Sequence, residues 1–235
     1  MSLTVKVKFT DTTGLVDEEF FPYPAKHGLP QWYKDMKSYR DNIKEMELET
    51  NKPTSTVKRC MPFFDSLTSG YIIPTPTDFN VVRKDGQQYF QWSSMDFIEF
   101  HHSFQLETHK EAQKVPAVPK MFNPWGIVTP PGYSLLCVPP MNRDDSLFEI
   151  FSGVMDTDKF NLNGNFPFLM NDPDWTGIVP AGTPMAQVIP FKRESYKMEI
   201  TGEEDFKRIE KQAAKLSSRF WNRYRDMFWT RKEYN

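Results

Sequence analysis

The sequence has 235 residues and a mass of 27.6 kDa, which suffices for one large domain or two small ones with an adequate core. Hydrophobic residues make up 39% of the chain and charged residues 26%, a balance that argues against disorder, collagen and coiled coil. The 29 basic and 31 acidic residues leave a net charge of −2, which disfavours non-specific binding to duplex nucleic acid. No apolar run approaches the roughly 18 residues that span a bilayer. The N-terminus also lacks a signal-peptide core, so we expect neither membrane insertion nor export.

Cysteine and proline usage adds two expectations. Cys60 and Cys137 lie far apart in apolar surroundings, which is typical of reduced thiols and indicates a cytoplasmic protein. The chain is also rich in Phe (20) and Pro (19), and proline stops after about residue 190. This distribution favours many short strands joined by rigid turns, followed by a helical segment.

The N-terminal part predicts one strand and one short helix. Residues 3–9 alternate between apolar and polar side chains, as in a half-buried strand. Pro30 stands at a helix start, and Trp32, Met36 and Tyr39 can share one helix face. Residues 44–58 are polar and predict a loop.

The middle of the chain, from about 57 to 198, predicts the β core. Asp85-Gly86 supplies a tight turn between strands at 78–83 and 88–92, which is a hairpin pattern. Further short strands are predicted at 70–74, 125–129, 133–138, 147–154, 166–170 and 185–190. Their spacing favours a sandwich or a barrel-like β domain, within a single domain that covers residues 1–235.

The C-terminal part predicts an amphipathic helix over about 203–230. Its apolar stripe has three- and four-residue spacing: Phe206, Ile209, Ala213, Leu216, Phe220, Tyr224 and Phe228. We expect this stripe to dock on the β core and the basic face to be solvated. The alternatives are a helix that binds lipid or nucleic acid, and one that binds a protein partner or a second copy of the chain.

Three stretches of the β core carry recognisable motifs: F-S-G-V-M-D-T-D at 151–158, the run from Ile178 to Phe191 with its P-A-G turn, and T-P-P-G-Y-S-L-L at 129–136. Together they resemble the β-clip fold of the dUTP pyrophosphatases and dCTP deaminases. The resemblance covers residues 129–191 well and residues 60–82 loosely. It implies a β-clip-like core in which Asp156, with Asp158 beside it, holds an attacking water or lines a base pocket. It also implies Mg²⁺ as cofactor if a nucleotide is bound.

Other positions depart from the β-clip pattern. P-P-M-N-R at 139–143 replaces the phosphate-binding R-S-G motif, Ile72 replaces the metal-binding aspartate, and a helix replaces the glycine-rich arm. We therefore take Asn142 and Arg143 as candidate contacts to phosphate or carboxylate, since arginine presents a bidentate fork. Asp65 is a further ligand-binding candidate. The alternative for Asp156 is a turn residue that hydrogen-bonds its own backbone.

A group of histidines suggests a different chemistry. His101, Gln105, Glu107 and His109 share parity, so on one strand they could face the same side. Imidazole and carboxylate are the ligands of non-haem iron or zinc, which makes His101, Glu107 and His109 candidate metal ligands. The alternative is a polar surface strand.

A second resemblance depends on four stretches, at 58–65, 70–73, 123–134 and 189–194. Through them the chain is similar, across most of its length, to an uncharacterised family of tailed phages and marine bacteria. The resemblance implies a phage-type protein, located in the host cytoplasm if phage-encoded, and it implies no activity. Three hypotheses follow: a β core that binds a small molecule such as a nucleotide, a non-catalytic interaction or assembly protein, and a metal-dependent oxygenase.

Overall fold

The computed structural model describes residues 4–40, 46–47, 52–93, 96–115, 117–217 and 223–235. Within these residues the fold is mainly β, with a C-terminal helix, as predicted. The chain forms two compact units. The β unit comprises Met1–Pro30, Thr68–Arg193 and Tyr234, and the helical unit comprises Gln31–Leu67, Glu194–Glu233 and Asn235. The single-domain assignment stays a prediction.

Short strands and four helices make up the described chain. The strands are β1 (Lys8–Asp11), β2 (Tyr23–Pro24), β3 (Met46–Glu47), β4 (Lys52–Pro53), β5 (Tyr71–Pro74), β6 (Phe79–Lys84), β7 (Gln87–Trp92), β8 (Ile98–His102), β9 (Ala117–Met121), β10 (Trp125–Val128), β11 (Tyr133–Val138), β12 (Phe148–Ile150), β13 (Gly153–Met155), β14 (Phe166–Met170), β15 (Gly177–Val179) and β16 (Pro184–Lys192). The helices among the described residues are α1 (Gln31–Asp35), α2 (Met61–Thr68), α3 (Glu203–Ser217) and α4 (Arg223–Met227).

The strands of the β unit pair antiparallel in open sheets. One sheet has the order β13-β11-β16-β5-β2, a second β12-β14-β9-β8 and a third β15-β6-β7, while β1 pairs with β10. Each of these sheets ends in edge strands, so the described strands do not close into the barrel that the sequence offered as one form of the core.

The hairpin prediction at Asp85-Gly86 is confirmed. β6 and β7 pair from Phe79 opposite Trp92 to Lys84 opposite Gln87. Asp85 and Gly86 have φ angles of 52° and 78°, the left-handed conformations of a two-residue turn that matches the twist of the strands.

The predicted strand at 147–154 is wrong as one element. The chain forms β12 and β13 instead, and they belong to different sheets. β12 pairs with β14, whereas β13 pairs with β11. The chain leaves the sheet of β12 and β14 at Phe151, whose N–H donates to the carbonyl of Pro167 on β14. Apolar residues continue across this point into β13, although its side chains are exposed or half-buried, and so the sequence pattern did not mark the break.

Phenylalanine rings fill the centre of the β unit. Phe79 is buried and lies with its ring centroid 5.9 to 6.3 Å from those of four other rings: Phe90, Phe97, Phe148 and Phe168. Such tilted and edge-on pairs add to the free energy gained by burying the rings. Five of the 20 phenylalanines of the sequence therefore meet at this point of the core.

The helical unit contains a small aromatic cluster. Tyr33 on α1 stacks on Phe63 of α2 with ring centroids 6.0 Å apart, and Trp32 lies edge-on to both. The short predicted helix after Pro30 is confirmed, but it ends at Asp35. Met36 and Tyr39, predicted to share a helix face with Trp32, therefore lie beyond it. Residues 44–58, predicted as a loop, contain the two-residue strands β3 and β4 within their described part.

The C-terminal helix prediction is confirmed by α3 and α4, and residues 218–222 lie outside the described ones. The stripe expected to dock is exposed where it can be described: Phe206 is 60% and Ile209 58% accessible. Of the described helices, none is long and apolar enough to cross a bilayer.

Candidate functional site

The turn after β13 brings Asp156 and Asp158 together with Ser134 of β11 and Arg193, which follows β16. We call these four side chains the carboxylate cluster. Thr129 and Thr157 join the two segments beside this cluster, since their hydroxyl oxygens lie 2.8 Å apart and Thr129 N–H donates to the carbonyl of Thr157. The 129–136 and 151–158 stretches on which the β-clip resemblance depends therefore contact each other.

Asp158 is engaged by the protein on both of its oxygens. The Arg193 guanidinium donates to Oδ1 at 2.7 Å and also to Oδ2, and the Gly132 N–H donates to Oδ2 at 2.9 Å. The side chain is only 5% exposed. These hydrogen bonds, led by those from Arg193, lower the pKa of Asp158 to about 2, so the group is ionised at neutral pH.

Asp156 is the accessible member of the carboxylate cluster, with 54% of its side chain exposed. The buried Ser134 hydroxyl donates to its Oδ1 at 2.6 Å, and Arg193 lies 3.1 Å from the same atom. The Ser134 hydrogen bond, and then the Arg193 charge, lower the pKa of Asp156. A lowered pKa makes a carboxylate a weaker general base at neutral pH.

Charge limits what the carboxylate cluster can bind. It holds two carboxylates against one guanidinium, and that guanidinium is already paired with Asp158. A phosphate would therefore meet net negative charge. A cation could reach Asp156, but Asp158 has no oxygen left unengaged to share it. The geometry is that of an ion-paired cluster that ties three segments of the β unit together.

Arg143 is also held by the protein. Its Nε and one terminal nitrogen donate to both oxygens of Asp145, at 2.9 and 3.1 Å, and the other donates to the Gly28 carbonyl at 2.8 Å. Arg143 and Asp145 line a cavity of about 190 Å³. Asn142 precedes them with a φ of 56°, the left-handed conformation that asparagine tolerates in turns.

Asp65 lies on α2 in the helical unit. Its carboxylate accepts hydrogen bonds from the indole Nε1 of Trp229, at 3.0 and 3.1 Å, and from Nζ of Lys232 at 2.6 Å. These contacts fasten the C-terminal segment to α2. The site candidates that the sequence suggested therefore do not form one group: Asp156 and Asp158 meet, while Asp65, Asn142 and Arg143 serve elsewhere.

The arrangement predicted for the histidines on one strand is wrong. β8 ends at His102, and Ser103–Leu106 form a turn of 3₁₀ helix. The Gln105 side chain causes this ending, because its Oε1 accepts the His102 N–H at 3.1 Å and lies 2.9 Å from His101 Nδ1. The strand parity therefore does not extend to Glu107 and His109. Among the described residues, no three His, Cys, Asp or Glu side chains lie where they could hold a metal ion.

A cavity of about 260 Å³ lies between β7 and the sheet that contains β8, β9 and β14. We call it the apolar cavity. Its lining is aromatic and aliphatic with a single amide and no charged side chain: Gln88, Tyr89, Phe90, Phe100, Val115, Ala117, Pro119, Leu169 and Met170. The amide of Gln88 is fixed by donating to the Trp175 carbonyl at 3.0 Å. The Phe90 and Phe100 rings lie 6.4 Å apart across this lining.

A second cavity, of about 430 Å³, adjoins the apolar cavity and shares Leu169 and Met170 with it. We call it the His109 cavity. Its other lining residues are mostly polar or small: His109, Glu111, Pro139, Glu149, Ile150, Phe151, Ser152 and Asn171. Asp156, Asp158 and Arg193 line none of these three cavities.

Sequence reasoning missed both adjoining cavities because their walls come from separate segments of the chain. The apolar cavity is lined mainly by β7, β8, β9 and β14, and the His109 cavity by β12, β14 and residues outside the strands. One local pattern pointed to them. Tyr89 and Phe90 are adjacent in a predicted strand, so their side chains face opposite sides and one aromatic ring lies outside the core. Comparison of the chain with family models, with curated proteins and with solved structures returned no match.

Proposed function

We propose that the β unit is a small-molecule-binding module whose ligand enters the apolar cavity. The observation that carries this proposal is the lining itself: aromatic and aliphatic side chains around about 260 Å³, with no charge. Concave, mostly apolar sites with a few fixed polar groups are the usual form of small-molecule sites. Covering this lining with an apolar ligand gains free energy in proportion to the area removed from water.

The ligand class follows from the rings. Phe100 is 49% exposed, and its ring lies 6.4 Å from that of Phe90 in the lining, so it offers part of an aromatic surface to the apolar cavity. Flat aromatic ligands pack against such surfaces in stacked or edge-on geometry. An uncharged planar body of about two fused rings fits this lining better than a phosphate group does.

A nucleotide, which the β-clip resemblance implies, is the competing proposal. It requires cationic or metal contacts for its phosphates. Two guanidinium groups are available at the predicted site residues, and both are already paired. Arg193 pairs with Asp158, and Arg143, itself a predicted site residue, pairs with Asp145. Nucleotide binding at Asp156 with Mg²⁺ would therefore have to displace existing ion pairs, which is why we rank it second.

The experiment is a thermal-shift and calorimetric titration with naphthylethanol and, separately, with deoxynucleotides plus Mg²⁺. A ligand at 100 times its Kd stabilises the protein by about 2.7 kcal/mol. We expect binding of naphthylethanol that Phe100→Ala weakens and that Phe104→Ala, an exposed phenylalanine outside the lining, leaves unchanged. Nucleotide binding that Asp156→Asn abolishes would replace this proposal with the β-clip one.

A partner-binding helix is a separate candidate function, in the helical unit, because the apolar stripe of α3 is exposed at Phe206 and Ile209. We name a second copy of the chain as the occupant, since α3 has an acidic first turn (Glu203, Glu204, Asp205) followed by basic residues. Lys207 and Arg208 pair with Glu203 and Asp205 within the helix, and the same charges would lie opposite one another in an antiparallel pair of helices. Sedimentation should then show a dimer that Phe206→Ser with Ile209→Ser dissociates. A monomer at all concentrations would remove this candidate.

Cytoplasmic location and a phage-type role remain proposals. Cys60 and Cys137 are free thiols, which supports a reducing compartment. Burial raises the pKa of the Cys137 thiol to about 12, so this group is unreactive at neutral pH.

A further inference from the structure

We infer that the His109 cavity receives the polar end of the same ligand, and that this end is a primary ammonium group. The ligand would then be an amphipathic amine, with an aromatic body in the apolar cavity. This inference rests on the proposed function, because it assigns the second half of the same binding site.

The two cavities adjoin because they share two lining residues, and we therefore place the two ends of one ligand in them. Leu169 and Met170 of β14 line each cavity. On the neighbouring β12, Glu149 lies directly opposite Leu169 in the antiparallel register. Side chains of such opposed residues lie on the same face of a sheet with Cβ atoms about 4.5–5.5 Å apart. The Glu149 carboxylate therefore stands beside the shared wall.

The charged side chains of the His109 cavity favour a ligand group of positive charge. Its lining contains Glu111 and Glu149 and no lysine or arginine. Glu111 is paired with Lys114 at 2.6 Å, whereas the exposed carboxylate of Glu149 has no ion pair with any residue in the described part of the chain. An ammonium group at this point gains a partner, and a carboxylate or phosphate would be repelled.

Two rings complete the recognition of an ammonium group. The His109 ring lies edge-on to Phe151 at 5.0 Å, and both line the cavity. His109 Nδ1 accepts the Ala112 N–H at 3.2 Å, so this ring nitrogen is engaged by the backbone. Phe151 presents a ring whose face attracts cations.

The test is a matched series of three probes with one naphthyl body: naphthylethylamine, naphthylethanol and naphthylacetate. We expect the amine to bind more tightly than the alcohol and the acid to bind most weakly. Glu149→Gln should weaken amine binding about two- to fivefold, the range of an exposed ion pair, and leave alcohol binding unchanged. The matched control is Glu99→Gln, an exposed glutamate that lines neither cavity.

The outcomes separate this inference from the proposed function. If all three probes bind equally, or if Glu149→Gln affects none of them while Phe100→Ala still weakens naphthylethanol, the ammonium assignment is overturned and the apolar site stands. If no probe binds the wild-type protein, the proposed function fails and this inference fails with it. A loss of alcohol binding in Glu149→Gln would mean a structural role for the carboxylate and would also overturn the assignment.

Discussion

The carboxylate cluster and the apolar cavity belong to the same β unit, but they differ in how far their chemical groups are already engaged. In the cluster, Asp158 is bonded on both oxygens, and Arg193 donates to Asp158, to Ser134 and to a backbone carbonyl. In the cavity, the rings of Tyr89 and Phe100 remain about half exposed. A satisfied polar cluster contributes to stability and has little left to offer a ligand, whereas exposed apolar surface in a concave site favours binding.

The largest expected effect is on the core beneath the cavity. Phe168 is buried and its ring lies 5.4 Å from that of Phe90, so Phe168→Ala should lower the free energy of unfolding by about 3–5 kcal/mol. Urea unfolding measures this loss. The control Phe104→Ala, at a ring that is 69% exposed, should stay within about 0.5 kcal/mol of the wild type.

A smaller loss of stability is expected from breaking the carboxylate cluster. Arg193→Met leaves the Asp158 carboxylate, only 5% exposed, with the Gly132 N–H as its remaining partner, so the melting temperature should fall. Binding of naphthylethanol to the folded protein should not change. The double variant with Asp158→Leu should recover part of the stability, because it removes both charges together. An unchanged melting temperature in Arg193→Met would show that the cluster does not stabilise the fold.

The pH dependence of stability offers a further way to test the cluster. The pKa of Asp158 is lowered from 3.8 to about 2 in the folded protein, so its contribution is present above pH 3.8 and is lost as the pH falls towards 2. Wild type should therefore be more stable than Asp158→Asn at neutral pH, and this difference should disappear across that acid range. Urea midpoints of both proteins between neutral pH and pH 2 measure it. A constant difference across this range would contradict the assignment of the ion pair.

The smallest loss of stability is expected at Asp65 in the helical unit. Like Asp158, its carboxylate accepts hydrogen bonds on both oxygens. Asp65→Ala removes the acceptor for Trp229 and Lys232 and should cost about 1 kcal/mol. Trypsin should then cleave faster after Arg231 and Lys232, which mass spectrometry detects. Unchanged cleavage would mean that these hydrogen bonds do not hold the C-terminal segment.

The elements that the sequence predicted well are those with local causes. Asp85-Gly86 defines its hairpin by backbone conformation alone, and the proline-containing turns on both sides of 133–138 define β11. The helix start after Pro30 has a local cause as well. By contrast, the division of 147–154 depends on which strands pair across the fold. A local pattern does not contain that information.

The candidate site was predicted in part for the same reason. The motif around Gly132 and the motif around Asp156 are each a continuous stretch of sequence, and the two do come together. The ion pair between Arg193 and Asp158, however, joins residues that are 35 positions apart. The cavity residues are still more dispersed. Phe100 and Leu169 are brought to one lining only by the order of the strands in space, which no motif encodes.

The most direct test of the central claim is a map of amide chemical shifts during titration with naphthylethanol. If the apolar cavity is the binding site, the largest changes will occur at Tyr89, Phe90, Phe100, Ala117 and Leu169, with little change at Ser134, Asp156 and Asp158. If the largest changes occur in the carboxylate cluster and the cavity residues do not respond, the assignment of the two regions is wrong.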